Sequence, residues 1–345
     1  MKSKQKKSKE KKPNIFSILK PYSGIVSALL FFALLSNALN LVIPKIVQFG
    51  IDDFSKGTFS MQKIVTWFVI AAILIFIFTY IQSILQTFAS ERVARDMRKK
   101  LASKISQQDY VYIQETTPGK LLTNLTSDVD AIKMFVSQAI VSIVSSLILI
   151  IGASILLLNI NWRLGVIVLL IIPIIATTFF VVFKKVKTLF KRTQEVIDWL
   201  NKVINESILG AALIRVLNAQ FTEYNKFMDA SGEAKNLGLS ILRLFATLIP
   251  IIVLTSNLAR LTVLGLGGHF VILGSMTLGE FAAFNSYIAI LIFPIIMIGF
   301  MSNVIARASA SYQRIHHTLE TPDFVDKGTV NKQLNGNINL QKVSV

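Results

Sequence analysis

The chain has 345 residues, of which 53% are hydrophobic and only 16% are charged, and its mean hydropathy is +0.59. Soluble domains contain about 45–50% apolar and about 25% charged residues, so this composition excludes an ordinary soluble domain and indicates a membrane protein. The absence of cysteine excludes disulfides and thiolate chemistry. A net charge of +17 fits either nucleic-acid binding or the basic loops of a membrane protein, and the position of the charges decides between them.

The chain begins with a lysine-rich segment, Met1 to Lys12, that is too polar to pack, and we predict that this segment is disordered and cytoplasmic. We assign residues 1–20 to a basic cytoplasmic tail. The apolar stretch that follows, Ile25 to Ile43, is longer than the ~7–15 apolar residues of a signal peptide. No small-residue cleavage site comes after it. We therefore interpret it as a retained first membrane span.

A bilayer core of about 30 Å requires about 20 apolar residues in a helix. Six stretches of the chain meet this requirement. They are Ile25–Phe49, Ile64–Phe88, Phe135–Leu158, Leu164–Phe183, Leu244–Leu266 and Phe281–Val304.

The number of lysines and arginines alternates between high and low in the successive segments that flank and connect these six spans. The amino-terminal segment and the connection from Arg92 to Lys133 contain eight each, the connection from Lys184 to Arg243 contains ten, and the tail from Arg307 contains five; the three intervening connections contain two, one and none. Cytoplasmic loops collect basic residues. We therefore predict a multi-pass protein of the cell membrane with both termini in the cytoplasm, and no nucleic acid among its partners.

The two large cytoplasmic connections, of about 40 and 60 residues, carry apolar residues at helical spacing. The first stripe is interrupted at Thr117–Gly119, where proline and glycine favour a turn, and the second at Gly210. Both patterns predict membrane helices that continue as hairpins, about 20–25 Å beyond the bilayer, before they return.

Five segments, in order along the chain, resemble the transmembrane domain of type I ABC exporters, the multidrug and lipid exporter class. They are Thr116–Asp130, Asn205–Leu217, Leu278–Pro294, Arg307–Ile315 and Asn335–Val345. Two residues depart from the family pattern: Lys120 replaces an aspartate and Asn124 an arginine. The resemblance implies an all-α fold over residues 21–320, with six long transmembrane helices and two cytoplasmic helical extensions.

The resemblance also implies a mechanical role for the two cytoplasmic tips. Family members carry short coupling helices there that contact nucleotide-binding domains, and the matching stretches are Thr116–Thr123 and Asn205–Val216; a plain turn of each hairpin is compatible with this role. The implied coupling residues are Thr116, Thr117, Pro118, Gly119, Lys120, Leu121, Leu122, Asn205, Glu206, Ser207, Gly210 and Arg215. The implied partners are a second six-helix half, in a homo- or heterodimer, nucleotide-binding domains, the lipid bilayer and a small hydrophobic or amphipathic substrate.

An ATP site requires a glycine-rich loop with lysine, G-x-x-x-x-G-K-[ST]. The one Gly-Lys pair, Gly119-Lys120, has Gln114 where the first glycine belongs and Leu121 where serine or threonine belongs. We therefore expect no cofactor and no catalysis in this chain, with ATP and Mg bound by a nucleotide-binding domain whose linker and first strand would lie in residues 321–345. The alternative functions are a secondary transporter or channel without an ATPase, and a membrane-anchored binding protein.

Several polar residues fall inside the predicted spans, where they are costly. Each is expected either to form an interhelical hydrogen bond or to line a substrate cavity. For Arg260 the alternatives are contact with an anionic substrate or carboxylate, and extension of its side chain to the outer headgroups, which we prefer. The candidate cavity residues are Asn37, Gln82, Asn257, Arg260 and Asn285.

Overall fold

The computed structural model describes residues 15–323 together with residues 336 and 339, and this part of the chain is helical, without a β-strand. Six helical segments are long and apolar enough to cross a membrane, which confirms the predicted all-α fold. We number them spans 1 to 6: Ile15–Ser55, Met61–Ser106, Pro118–Ile160, Trp162–Leu209, Gln220–Ile272 and Leu278–Glu320. The predicted nucleotide-binding strand, Asn335–Val345, lies outside the described residues apart from Gly336 and Asn339.

Spans 1, 3, 4 and 5 are built from several consecutive helices. Span 1 is a 3-10 helix, Ile15–Tyr22, followed by the α-helix Ser23–Ser55. Span 3 contains α-helices Pro118–Thr123, Val129–Met134 and Ile140–Ile160, separated by π-helical turns at Asn124–Asp128 and Phe135–Ala139. Span 4 is divided into Trp162–Leu169 and Ile171–Leu209, and span 5 into Gln220–Thr262, a π-helical turn at Val263–Gly267, and Gly268–Ile272.

The helices continue far beyond the apolar stretches at one end of the bundle, which we call the basic end because it carries most of the lysines and arginines. Span 2 continues for 18 residues after Phe88, to Ser106, which corresponds to roughly 27 Å. Span 4 continues for 26 residues after Phe183, to Leu209, or roughly 39 Å. The second hairpin is therefore considerably longer than the predicted ~20–25 Å.

The segment Ile15–Tyr22 forms a 3-10 helix, which we call the elbow helix, so the last residues of the predicted basic tail over residues 1–20 are helical. Ile15 and Ile18 are buried in the same apolar cluster as Val93 and Phe135. The elbow helix therefore belongs to the helical bundle. The pattern of two isoleucines three residues apart was too short to be distinguished from the polar tail before it.

The spans form two groups. Spans 1, 2, 3 and 6 pack together, whereas spans 4 and 5 pack along each other and reach the first group mainly through span 6. Tyr287 on span 6 is fully buried, and its hydroxyl donates to the Leu41 carbonyl on span 1 at 3.0 Å. The pairing of spans 4 and 5 leaves their extensions at the basic end as a separate hairpin.

At the end opposite the basic end, which we call the outer end, span 1 caps the start of span 6. The buried Asp52 carboxylate accepts hydrogen bonds from the Gly279 amide at 2.9 Å and from the Thr277 hydroxyl at 3.1 Å. Thr277 and Glu280 also form a capping box at this helix start. A Cβ on Gly279 would lie 2.2 Å from the Gln48 carbonyl oxygen, so only glycine permits this close approach.

Candidate functional site

The first tip at the basic end is a separate helix, Tyr110–Thr116, which follows span 2 after a turn. The Asp109 carboxylate caps it by accepting from the Val111 amide. Thr117 ends it with a φ of +66° and ψ of +135°, a conformation that β-branched residues rarely adopt. Pro118 then occupies the first position of span 3, where its missing N–H is not needed.

The predicted first coupling stretch, Thr116–Thr123, therefore overlaps the short helix Tyr110–Thr116 by a single residue. Only Thr116 lies in it; Thr117 is the junction, and Pro118–Leu122 begin span 3. Leu121 is buried, whereas Gly119, Lys120 and Leu122 are exposed. The exposed apolar surface of the tip helix itself comes from Tyr110 and Val111, which the sequence analysis did not select.

The second tip is the helix Ala211–Val216, and the predicted stretch Asn205–Val216 includes all of it. Asn205, Glu206 and Ser207 belong to the last turns of span 4, and Gly210 separates the two helices. A Cβ on Gly210 would lie 2.8 Å from the Glu206 carbonyl oxygen. The Ser207 hydroxyl contacts the Glu223 carboxylate at 3.4 Å, which links the last turn of span 4 to the first turn of span 5.

The second tip presents apolar side chains to its surroundings. Leu209 is 88% exposed and Val216 is 82% exposed, with Leu213 at 62% between them. Arg215 is exposed and has no acidic partner within the part of the chain that the structure describes. These side chains do not stabilise the six-helix fold, and the tip is therefore available to contact another domain.

Two polar contacts connect the extensions of spans 3 and 6 at the basic end. Arg314 donates to both carboxylate oxygens of Asp128, with Nε at 3.0 Å from Oδ2, and the Asp128 side chain is only 2% exposed. This hydrogen bonding raises the pKa of the Arg314 guanidinium. The buried Asn124 amide donates to the Thr318 hydroxyl at 2.8 Å, so the asparagine that replaces the family's arginine has a neutral partner.

Asn124 and Asp128 bound one π-helical turn, a form that is common at functional sites. Both residues belong to the segment Thr116–Asp130, which resembles the family, but nothing in the sequence indicated that they contact span 6. Both also bring the first tip close to the end of span 6, where the Thr321 hydroxyl contacts Tyr112 at 3.5 Å and Lys104 binds Asp323 at 2.5 Å.

The five candidate cavity residues do not form one site. Asn37 is buried and donates to Ser145 on span 3 at 2.9 Å, which makes it an interhelical hydrogen bond, and Asn285 donates to the Phe281 carbonyl of its own helix. Gln82 is half-buried, and Asn257 and Arg260 are exposed on span 5; none of these three has a hydrogen-bond or acidic partner in the described residues. Arg260 therefore does not meet a carboxylate within this chain.

The structure does contain an aromatic cavity of about 560 Å³ between spans 3, 4 and 6, and none of those five residues lines it. Phe179, Phe180 and Phe183 form one wall, and Lys184 and Lys187 lie at its basic end. Phe183 also contacts Phe245 and Phe300 edge to face, at about 6 Å between ring centroids. The sequence could not distinguish these rings from lipid-facing phenylalanines, because both kinds stand in uninterrupted apolar runs.

Comparison with known proteins agrees with this architecture. Residues 26–295 match the family model for the ABC transporter transmembrane region, which covers all but the last part of span 6 and the amino-terminal segment. The chain belongs to this ABC transporter family. The match confirms the family resemblance that the five sequence segments indicated.

Curated relatives of this ABC transporter chain are similar over most of its length. A multidrug resistance-like ATP-binding protein MdlA from Buchnera aphidicola (subsp. Schizaphis graminum) is 26% identical over 93% of this chain and 56% of that protein. The Escherichia coli MdlA is 26% identical over 89% and 52%. An ATP-dependent lipid A-core flippase from Syntrophus aciditrophicus is 24% identical over 91% and 53%. The chain spans about half the length of these relatives.

Proposed function

We propose that this chain is the membrane-spanning half of an ATP-driven exporter in the cell membrane. A second six-helix half, identical or related, completes a pathway that opens alternately to the two sides and carries hydrophobic or amphipathic solutes outward. ATP and Mg bind to nucleotide-binding domains that contact the two tips. Both termini, and the whole basic end, lie in the cytosol.

The second tip carries this proposal. A hairpin that extends roughly 39 Å beyond the apolar part of span 4 ends in a six-residue helix whose apolar side chains are mostly exposed. Exposed leucine and valine in water favour burial against a partner, at about 25 cal/mol per Å² of apolar surface. A folded domain beneath the tip provides that burial, and the relatives with matching membrane regions are named ATP-binding proteins.

The cavity between spans 3, 4 and 6 supports the proposed substrate class. Its walls are aromatic and aliphatic, and cations stand at one end, an arrangement that suits a solute with an apolar body. Two relatives are named as a multidrug resistance-like protein and as a lipid A-core flippase. These two names support a drug or a lipid as the solute of this chain.

The cytosolic orientation rests on charge. The extensions of spans 2 to 5 and their tips carry half of the 36 lysines and arginines, whereas the three outer connections together carry three. Basic residues near the ends of spans remain on the cytoplasmic side. The hairpins that reach the nucleotide-binding domains therefore point into the compartment that contains ATP.

The test is ATP-dependent uptake of a hydrophobic fluorescent dye into inverted membrane vesicles that contain the full-length protein. We expect uptake by the wild type, loss of most uptake in Val216→Asp, and unchanged uptake in Ile272→Asp. Ile272 is 85% exposed at the outer end, so it is a matched control for a charge placed on an exposed apolar side chain. Absence of uptake by the wild type, or equal uptake by all three proteins, contradicts the proposal.

A further inference from the structure

A large cavity, of about 980 Å³, lined by apolar and by charged side chains, lies between the elbow helix and the extension of span 2. Pro21, Gly24 and Ile25 at the start of span 1 line one side, and Leu319 of span 6 also contributes. The other side is one face of span 2, whose lining residues recur every three or four positions, as helical neighbours do. They are Arg92, Asp96, Lys99, Lys100, Ser103, Lys104 and Gln107.

The charges on this face do not cancel. Lys104 binds Asp323, and the Asp96 carboxylate is occupied by Arg95 at 2.8 Å and by the Tyr22 hydroxyl at 2.7 Å. The Tyr22 hydrogen bond, with help from Arg95, holds the pKa of Asp96 below its usual range, so this carboxylate is charged and already compensated. The remaining cations, Arg92, Lys99 and Lys100, have no acidic partner within residues 15–323.

The Arg92 end of the cavity lies at the level expected for the surface of a bilayer. Arg92 follows the last apolar residue of span 2, Phe88, by four positions, or about 6 Å along the helix, which is the depth of a headgroup layer. The elbow helix beside it buries Ile15 and Ile18 in the bundle while Phe16 is 54% exposed. Lys99 lies about 10 Å further along the axis, and its long side chain can reach back toward the same layer.

We propose that this cavity binds the phosphate headgroup of an anionic phospholipid. Arg92, Lys99 and Lys100 neutralise the phosphate, and Ile25, at the start of the first apolar stretch, contacts the upper part of the acyl chains. The orientation given under the proposed function makes this an inner-leaflet lipid. The lipid site does not depend on which solute is transported.

The test is native mass spectrometry of the purified full-length protein titrated with phosphatidylglycerol or with phosphatidylcholine. Each basic residue near an anionic surface strengthens binding, and three together are expected to give a preference on the order of 100-fold. We expect Arg92→Gln with Lys99→Gln and Lys100→Gln to remove most of this preference. The charge-conserving set, Arg92→Lys with Lys99→Arg and Lys100→Arg, should keep it and show that the fold tolerates substitution here.

A matched control separates a defined site from the general attraction of a basic surface. Lys185, Lys235 and Arg243 are also exposed near the basic ends of apolar spans, line neither this cavity nor the aromatic one, and have no acidic partner in the described residues. Their triple replacement by glutamine should leave the phosphatidylglycerol preference within about twofold of the wild type. Equal losses in both triple variants, no loss in the first, or competition by millimolar inorganic phosphate without any lipid preference would overturn the proposal. Failure of dye transport leaves this result unchanged, so the two proposals are tested separately.

Discussion

Arg314 on span 6 holds Asp128 on span 3 through both carboxylate oxygens, with the carboxylate almost fully buried and the guanidinium half exposed. Asp128 is the last residue of the π-helical turn Asn124–Asp128, which lies near the start of span 3, twelve residues after the end of the first tip helix. Span 6 carries the chain onward from the membrane toward its end. The pair therefore links the first tip to the helix that leads out of the bundle.

Removal of Arg314 should destabilise the protein because it leaves a buried carboxylate unpaired. We expect Arg314→Gln to lower the free energy of unfolding by about 2–3 kcal/mol, less than the ~3–5 kcal/mol of a fully buried pair, because Arg314 is half exposed. Thermal unfolding in detergent measures this. The exposed pair Arg98–Asp130 is the control, and Arg98→Gln should change stability by less than about 0.5 kcal/mol. Equal effects of the two substitutions would show that the buried pair has no special role.

The contact between spans 1 and 6 at the outer end should depend on the size of residue 279. In Gly279→Ala the new methyl would meet the Gln48 carbonyl and the Asp52 carboxylate, so we expect a loss of about 1–3 kcal/mol in stability. Gly238 lies exposed inside span 5 with open space around it. Gly238→Ala should therefore stabilise the protein by roughly 0.5–1 kcal/mol. Unfolding midpoints that move in the same direction for both variants would contradict the close contact.

The turn after the second tip depends on a left-handed residue, Asn218, with φ +50°. Asn218→Gly should be tolerated, whereas Asn218→Val should cost about 1–2 kcal/mol because a β-branched side chain resists this conformation. Protection of the tip helix amides in hydrogen exchange reports the effect locally. If the valine variant protects the Ala211–Val216 amides as well as the wild type does, the turn geometry is wrong.

The aromatic cavity should contribute to solute binding through exposed rings as well as buried ones. Phe180 lines it and is 69% exposed, so Phe180→Ala should leave the fold intact. We expect the apparent affinity for a hydrophobic dye to fall about 5- to 10-fold, as loss of an aromatic contact of roughly 1–1.5 kcal/mol requires. Phe293→Ala removes a ring of equal exposure, 67%, from outside the cavity and serves as the control. Dye-stimulated ATP hydrolysis measures both, and equal affinity losses would remove the cavity from the transport pathway.

The spans were predictable from the sequence because each needs only about 20 predominantly apolar residues, and stretches such as Ile25–Phe49 and Phe281–Val304 supply them despite a few polar side chains. The tips were less predictable. Thr117-Pro118-Gly119 was interpreted as the middle of the turning segment, whereas the structure makes Thr117 the end of the tip helix and Pro118 the start of span 3. A threonine with positive φ has no sequence signal, since glycine is the residue expected there.

Contacts between distant segments could not be predicted at all. Asp128 and Arg314 are 186 residues apart, and apolar periodicity indicates which face of a helix is buried but not which helix it meets. The same limit applies to Asn37, where two roles were left open and the structure shows a bond to Ser145. Arg260 illustrates the opposite case, because a contact with a carboxylate was one of its two alternatives and the side chain is exposed and meets no carboxylate in the described residues.

The central claim is that the two tips transmit the effect of ATP to the spans, and the distance between them tests it most directly. The chain has no cysteine, so Tyr110→Cys with Val216→Cys can be spin-labelled on exposed positions without removing other thiols. Pulsed electron–electron double resonance on the full-length protein should show that the distance between the two labels changes by several ångströms between the nucleotide-free and the vanadate-trapped states. An identical distance distribution in both states, from protein that hydrolyses ATP, would contradict the account.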